Sequence, residues 1–221
     1  MIKKLMSKIN LLQKVSLIQY IYLNFFSKNI IRHGRGKILP YKYACIELNK
    51  KSELHIYDES IEIGNGKIKG SKAETYLRLR ENAKWYAHES CVIAYGCTIE
   101  ILNNAIVESK YFTMNVNSTL ISKKHISIGH NVMIGRNVII YDSDFHSIYS
   151  NNGKIINEDS DVIIDDDVWI ATNCLILKGV KIEKGAVIAA DTMIIHHVFE
   201  KELVITKKEN IKLYANIEWN R

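Results

Sequence analysis

Residues 164–194 read IDDDVW-IATNCL-ILKGVK-IEKGAV-IAADTM-I, a series of six-residue units that each begin with isoleucine. The same phase is present upstream, where residues 128–140 read IGHNVM-IGRNVI-I. Isoleucine leads all seven units, although only 36 of the 221 residues are isoleucine. A period of six matches neither the 3.6-residue period of a helix nor the simple alternation of a hairpin. The pattern therefore indicates a structural repeat.

Two further positions of the unit predict how it folds. The fifth position is small or β-branched, which suits a second inward-facing side chain beside the isoleucine. The fourth position holds only residue types that tolerate a left-handed backbone, as a repeated corner requires. The fourth-position residues are Asn131, Asn137, Asp167, Asn173, Gly179, Gly185 and Asp191. Three strand-and-corner units complete a coil of about 18 residues, and stacked coils form a β-solenoid.

The composition excludes several classes of protein. With 47% hydrophobic and 24% charged residues the chain is not disordered, and a single proline beside abundant isoleucine favours strands. The net charge of +6 is uneven, because residues 1–50 carry ten basic residues and one acidic residue, whereas residues 51–221 carry 20 basic and 23 acidic residues. A uniformly basic nucleic-acid binder is excluded by this slightly acidic body, so we expect no nucleic-acid partner.

The repeat divides the chain into three expected parts. Residues 1–54 form a basic, amphipathic helical segment, residues 55–195 form the solenoid, and residues 196–221 form a C-terminal extension. Without a clear signal peptide or paired CxxC cysteines, we expect a cytoplasmic protein with reduced thiols. Three of the thiols should fill the core; they belong to Cys91, Cys97 and Cys174. The basic segment, in particular residues 1–28, either packs on the body or contacts the inner face of the membrane peripherally.

One interruption of the repeat, at residues 141–161, predicts a loop that carries function. Its sequence is polar and rich in Gly and Asn, and it contains His146. Three acidic residues are candidates to orient this histidine: Asp142, Asp144 and Glu158. After the repeat resumes, Trp169 occupies an outward sixth position, and an exposed indole there suggests a surface that faces a ligand.

These segments resemble the hexapeptide-repeat acyltransferases, whose members fold as all-β, left-handed parallel β-helices and act as homotrimers. The resemblance covers about residues 79–195 and is strongest for IGHNVMIGRNVIIYDSDFHSI and DDDVWIATNCLILKGVKIEKGAVIAADTMI. Within the family the chain is most similar to the acetyl-CoA-dependent sugar O-acetyltransferases of capsule, lipopolysaccharide and galactoside type.

The resemblance implies roles for individual residues. His146 matches the catalytic histidine of the family, Trp169 its conserved tryptophan, and Asn115 an asparagine that contacts the acceptor. Residues that match contacts to the cofactor are Ala171, Thr172, Ala189 and Ala190. The chain departs from the family where Ala171 replaces a usual glycine and where the C-terminal tail lacks the usual Gly- and Pro-containing motif. In that tail Lys207 and Lys208 remain candidates to bind the phosphates of CoA.

The expected function is acetyl transfer from acetyl-CoA to a hydroxyl of a carbohydrate acceptor, a surface polysaccharide or its precursor, with no metal. A sugar hydroxyl is a weak nucleophile near pH 7, and histidine is suited to act as its general base.

Three alternatives stay open at this point. The first is N-acetylation of a nucleotide-linked amino sugar, and the second is an inactive solenoid that serves as a scaffold. The third is a zinc enzyme like the gamma-class carbonic anhydrases, for which His88, His125 and His130 have an approximate ligand spacing.

Overall fold

The structure is a computed structural model that describes residues 14–205 of the chain. Within these residues, the short α-helix α1 (Leu17–Ile21) and a π-helical turn (Tyr22–Phe26) precede 22 strands. The strands form three parallel sheets, because the chain steps from one sheet to the next and returns to each sheet one coil later. The all-β parallel β-helix predicted from the repeat is confirmed.

Each sheet forms one face of a three-sided prism. The first sheet contains β1 (Ile30–Arg32), β4 (Glu53–Ile56), β7 (Lys84–Ala87), β10 (Ile106–Ser109), β13 (His125–Ile128), β16 (Val162–Ile164) and β19 (Lys181–Ile182). The second contains β2 (Ile38–Pro40), β5 (Ile61–Asn65), β8 (Cys91–Ala94), β11 (Phe112–Met114), β14 (Val132–Ile134), β17 (Trp169–Ile170), β20 (Val187–Ile188) and β22 (Leu203–Val204). The third contains β3 (Ala44–Leu48), β6 (Thr75–Leu79), β9 (Thr98–Ile101), β12 (Thr119–Ser122), β15 (Ile139–Tyr141), β18 (Leu175–Ile176) and β21 (Met193–Ile194).

The corners between faces follow the predicted fourth position of the repeat. All seven of its residues have a left-handed backbone, with φ between +53° and +76°. Corner amides also bond along the prism axis, since Asn137 Nδ2 donates to Asn173 Oδ1 at 3.0 Å and Asn173 Nδ2 donates to Asp191 Oδ1 at 3.0 Å. The residue type at the fourth position of each unit therefore fixes the point at which the chain turns from one face to the next.

The interior of the prism is a ladder of apolar side chains. The seven leading isoleucines are at most 2% exposed, and the fifth-position side chains beside them are equally buried. Cys91, Cys97 and Cys174 are free thiols in this core, as predicted. Burial raises the pKa of Cys91 to about 12 and that of Cys97 to about 11, so both thiols stay protonated and inert near neutral pH.

The β-helix begins earlier than expected. Strands β1–β3 pair with β4–β6, so the first coil starts at Ile30 and not at residue 55. In place of an earlier strand, the Asn24 side chain bonds the open edge of β2, donating to Ile38 O at 2.8 Å and accepting from Ile38 N at 3.0 Å. The first coil does not follow the six-residue pattern, and a side chain closes its edge. The start of the β-helix at Ile30 therefore could not be predicted from the repeat.

At the other end the parallel pairing continues past residue 195. Strand β22 pairs with β20, and Val198 bridges to Ile182. The expected C-terminal extension therefore starts as part of the prism. In the described N-terminal segment, Lys14, α1 and the π-helical turn are helical. Within residues 14–205, no helix has the length and apolar character that a membrane crossing needs.

Candidate active site

The loop between β15 and β16 carries His146 and is fixed by its own polar side chains. An antiparallel bridge joins Tyr149 to Ile155, and Ser143 Oγ donates to Asp159 Oδ1 at 2.5 Å. Asn157 Nδ2 donates to the carbonyl oxygen of His146 at 2.8 Å. These bonds hold the backbone of His146 in place while its side chain stays exposed to solvent.

Asp144 connects this loop to the body of the prism. Its carboxylate accepts from Asn157 Nδ2 at 2.9 Å and from Lys178 Nζ at 2.5 Å, and Lys178 also donates to Asn157 O at 2.7 Å. Burial would raise the pKa of Asp144, but the hydrogen bonds from Lys178 and Asn157 outweigh it and lower that pKa. Asp144 is therefore an anionic anchor that holds the loop against the next coil.

Asp142 has a different position from the one its sequence context suggested. Its carboxylate is fully buried in the corner after β15, where it accepts hydrogen bonds from Ser122 Oγ and from the backbone N–H groups of Lys123 and Lys124 at 2.7–2.9 Å. These bonds close the turn of the preceding coil. The structure thus gives Asp142 a role in closing the corner, and an orienting role for His146 stays a prediction.

We expect Asp142→Asn to lower the free energy of unfolding by about 2–3 kcal/mol, since the amide nitrogen directs its N–H groups at one or two of the three donors in a buried site. Urea denaturation measures this change. Asp144→Asn is the matched control, because Asp144 is exposed and its loss of an ion pair costs at most about 1 kcal/mol. Equal midpoints for Asp142→Asn and the wild type would refute the structural role.

Trp169 lies on the outer surface of the second sheet. Its indole is 49% exposed between the neighbouring strand residues Met133 and Val187. Beside it, at the corner that leads to the third sheet, Ala171 N donates to Ile188 O and so stacks its coil on the next one. The four small residues of the predicted cofactor contacts lie at this corner on two consecutive coils. They are Ala171 and Thr172 on the coil of Trp169, and Ala189 and Ala190 on the next coil.

These small residues form a surface that we call the shelf, defined by Trp169 and the four residues just named. One coil earlier, Gly135 continues it, and a Cβ there would lie 2.7 Å from the Ala171 carbonyl carbon. The exposed Arg136 sits at the same corner, since Asn173 N donates to its carbonyl oxygen at 2.9 Å. Arg136 is not among the residues predicted from the sequence, although it precedes the corner residue Asn137 just as Thr172 precedes Asn173.

Within one protomer, the His146 loop and Trp169 are attached to different parts of the prism. The loop leaves the prism at the corner between the third and first sheets and is anchored there by Lys178. Trp169 lies on the second sheet, which is the face opposite that corner.

The remaining predicted residues are dispersed. Asn115 is exposed at the corner after β11, where its Oδ1 accepts from Val116 N at 2.8 Å, and it lines a cavity of about 230 Å³ with Asn65 and Thr113. Glu158 is an exposed residue of the loop. Lys207 and Lys208 lie outside the described residues.

The three histidines of the zinc alternative have separate surroundings. His130 Nδ1 lies 2.6 Å from Glu89 Oε2, and His125 Nδ1 lies 3.4 Å from Asp161 Oδ2. The His88 ring packs against the Tyr57 ring, with 4.8 Å between their centroids. Among residues 14–205, no three His, Cys, Asp or Glu side chains are grouped as metal ligands. The geometry of one protomer therefore does not favour this alternative.

Comparison with known proteins agrees with the repeat and the fold. No protein-family model matches the chain. Over 90 residues, 40% of the chain, it is 37% identical to the polysialic acid O-acetyltransferase of Neisseria meningitidis, and the match spans 39% of that protein. Over 162 residues, 72% of the chain, it is 26% identical to the galactoside O-acetyltransferase of Escherichia coli strain K12, and the match spans 68% of that protein.

A solved structure shows the same fold. The crystallographic structure of the polysialic acid O-acetyltransferase OatWY has a TM-score of 0.51 and 22% identity, with coverage of 84% of this chain and 95% of that one. In the sequence comparison, the chain spans only about two fifths of the length of the meningococcal relative. The repeat, the three parallel sheets and the OatWY structure together show a parallel β-helix, and in sequence the chain is similar to O-acetyltransferases of polysialic acid and galactosides over part of their length.

Proposed function

We propose that the protein transfers an acetyl group from acetyl-CoA to a hydroxyl of a surface polysaccharide or its precursor. The observation that carries the proposal is the solvent-exposed His146 on a loop whose backbone is fixed by Asn157 and Asp144. A rigid, exposed imidazole in a polar loop is the arrangement that general-base catalysis on a sugar hydroxyl needs. The relatives named as polysialic acid and galactoside O-acetyltransferases support this class of acceptor.

The chemistry requires one proton transfer and one acyl transfer. His146 accepts the proton of the sugar hydroxyl as its oxygen attacks the thioester carbonyl of acetyl-CoA. The tetrahedral intermediate then collapses, the carbon–sulfur bond breaks, and the CoA thiolate takes the proton from the imidazolium. The products are an acetyl ester and free CoA, and His146 returns to its neutral form.

We assign the donor to the shelf. Small side chains beside Trp169 leave room for the narrow pantetheine arm, and the half-exposed indole offers an apolar wall to it. Arg136 lies at the same corner one coil earlier, where Asn173 N donates to its carbonyl oxygen. Its guanidinium is suited to bind a CoA phosphate. Metal ions have no part in this scheme.

We further propose a homotrimer in which each site lies between two protomers. The opposed positions of the loop and the shelf in one prism support this assembly, because a closed threefold ring brings the loop of each protomer to the shelf of its neighbour. Size-exclusion chromatography with light scattering measures the mass of the assembly directly.

Mixing of variants tests the shared site. We expect Trp169→Ala to raise the KM for acetyl-CoA about tenfold, since it removes one aromatic contact to the donor. When Trp169→Ala and His146→Ala subunits are unfolded together and refolded, about one quarter of the sites should regain both native side chains. Activity that stays at the level of the separate variants would show that each site belongs to one protomer.

An acceptor screen tests the function itself. Release of CoA thiol from acetyl-CoA would be followed with sialic acid polymers, galactosides, amino sugars and their nucleotide-linked forms. The proposal predicts acetyl-CoA turnover that depends on a hydroxyl acceptor. Turnover only with a free amino group would favour N-acetylation, and no turnover with any acceptor would favour an inactive scaffold.

A further inference from the structure

The N-terminal end of the prism carries a large apolar surface. Leu23 and Asn24 of the π-helical turn face the first coil and are buried, whereas the opposite side of α1 and the turn points away from the protein. Six large side chains on that opposite side are between 48% and 84% exposed. They are Leu17, Ile18, Ile21, Tyr22, Phe25 and Phe26. Such a contiguous patch on a short surface helix is unusual for a surface that faces only water.

A basic cavity adjoins this patch. It has a volume of about 770 Å³ and lies between Lys14, which precedes α1, the turn after β2 and the loop after β5. Five lysines line it, and among its described lining residues there is no carboxylate. The lysines are Lys14, Lys42, Lys67, Lys69 and Lys72. The exposed Ile68 stands between two of them, so apolar and basic groups alternate at its rim.

Local contacts hold the two parts together. Lys42 N donates to Lys14 O at 2.9 Å, which ties the residues before α1 to the cavity wall. Lys67 Nζ lies 3.1 Å from the centroid of the Tyr43 ring. On the far side of the patch, Lys37 Nζ lies 5.4 Å from the centroid of the Phe25 ring. An ammonium group therefore borders the apolar patch at Phe25, and the lysine cavity lies next to the residues that lead into α1.

We propose that this end of the prism docks on a bilayer that contains anionic lipids. The six apolar side chains of α1 and the π-helical turn would enter the headgroup region, and the lysine cavity would hold lipid phosphates. Charge complementarity carries the assignment, because the cavity combines five cations with no described carboxylate. The exposed apolar patch favours lipid over a hydrated anionic polysaccharide, which would need the lysines but not the apolar side chains.

This orientation has a geometric consequence. Strands of one sheet are about 4.8 Å apart, and β15, which precedes the His146 loop, is the fifth strand from the docked end in the third sheet. The loop would therefore stand about 20 Å above the first coil, clear of the lipid headgroups. The docking is independent of the proposed reaction, since it uses none of the residues of the loop or the shelf.

Vesicle co-sedimentation of the full chain tests the proposal. The wild type should bind phosphatidylcholine vesicles that contain phosphatidylglycerol and should bind pure phosphatidylcholine much less. Combined replacement of Lys67, Lys69 and Lys72 by glutamate should weaken binding at least about tenfold. The matched control replaces Lys110, Lys184 and Lys201 by glutamate, which changes the net charge equally but lies on other coils, and it should change binding by less than about threefold.

A second pair of variants tests the apolar part. Ile18→Gln with Phe26→Gln should also weaken vesicle binding at least about tenfold, whereas Ile195→Gln with Phe199→Gln, exposed at the other end of the prism, should not. All variants should keep the wild-type circular dichroism. Equal binding by both lysine variants would overturn the proposal. So would binding of sialic acid polymer in place of vesicles, or loss of a larger assembly in the Ile18/Phe26 variant with vesicle binding unchanged.

Discussion

Replacement of His146 by alanine should lower the turnover of acetyl transfer by about 10²–10⁴-fold, the usual effect of removing a general base. The expected loss is large because no other step of the proposed reaction removes the proton from the sugar hydroxyl. The variant should retain its fold, since the His146 side chain is exposed and the loop is held by bonds of Asp144, Asn157 and Lys178. Steady-state kinetics with saturating acetyl-CoA measures the effect.

A second histidine variant controls for nonspecific loss. His196→Ala also removes an exposed imidazole, but at the end of the prism and away from the loop. It should keep turnover within about twofold of the wild type. Full acetyl-CoA-dependent activity in His146→Ala, with circular dichroism unchanged, would remove His146 from the mechanism.

Replacement of Trp85 by alanine should lower the free energy of unfolding by about 3–5 kcal/mol. Trp85 is the largest fully buried side chain of the described core, and its indole N–H donates to Ser109 Oγ at 2.9 Å. Its removal leaves a cavity between neighbouring coils and deprives the buried Ser109 hydroxyl of its donor. Because β7 pairs with both β4 and β10, the damage extends to three coils.

The same substitution at the exposed tryptophan is the matched control. Trp169→Ala removes an equal volume from the outer surface and should lower the free energy of unfolding by at most about 1 kcal/mol. Chemical denaturation of the two variants gives the comparison. Similar losses at both positions would contradict the assignment of Trp85 to the core and of Trp169 to a ligand surface.

The regular part of the fold could be predicted because each position of the six-residue unit has one structural role. Leading isoleucines fill the interior, and Asn, Asp or Gly permits the left-handed corner, so seven φ values follow from seven residue identities. The first coil could not be predicted in this way. Its strand β2 is completed by the side chain of Asn24, which is 14 residues away, and no local period encodes such a contact.

Candidate site residues could be named from the sequence, whereas their arrangement in space could not. A break in the repeat singles out His146, and an outward position singles out Trp169, which is indeed half exposed. The direction of each acidic side chain was not predictable, so Asp142 and Asp144 looked equivalent although one closes a corner and the other anchors the loop. The sequence also could not show that the His146 loop leaves the prism at the corner opposite the sheet that carries Trp169.

Mass spectrometry of the acceptor after incubation with acetyl-CoA that carries a labelled acetyl group tests the central claim most directly. The account predicts that the wild type attaches the label to a carbohydrate acceptor as an alkali-labile ester, and that His146→Ala attaches about 10²–10⁴-fold less in the same time. A label that resists alkali, as an amide does, or equal labelling by the wild type and His146→Ala would contradict it.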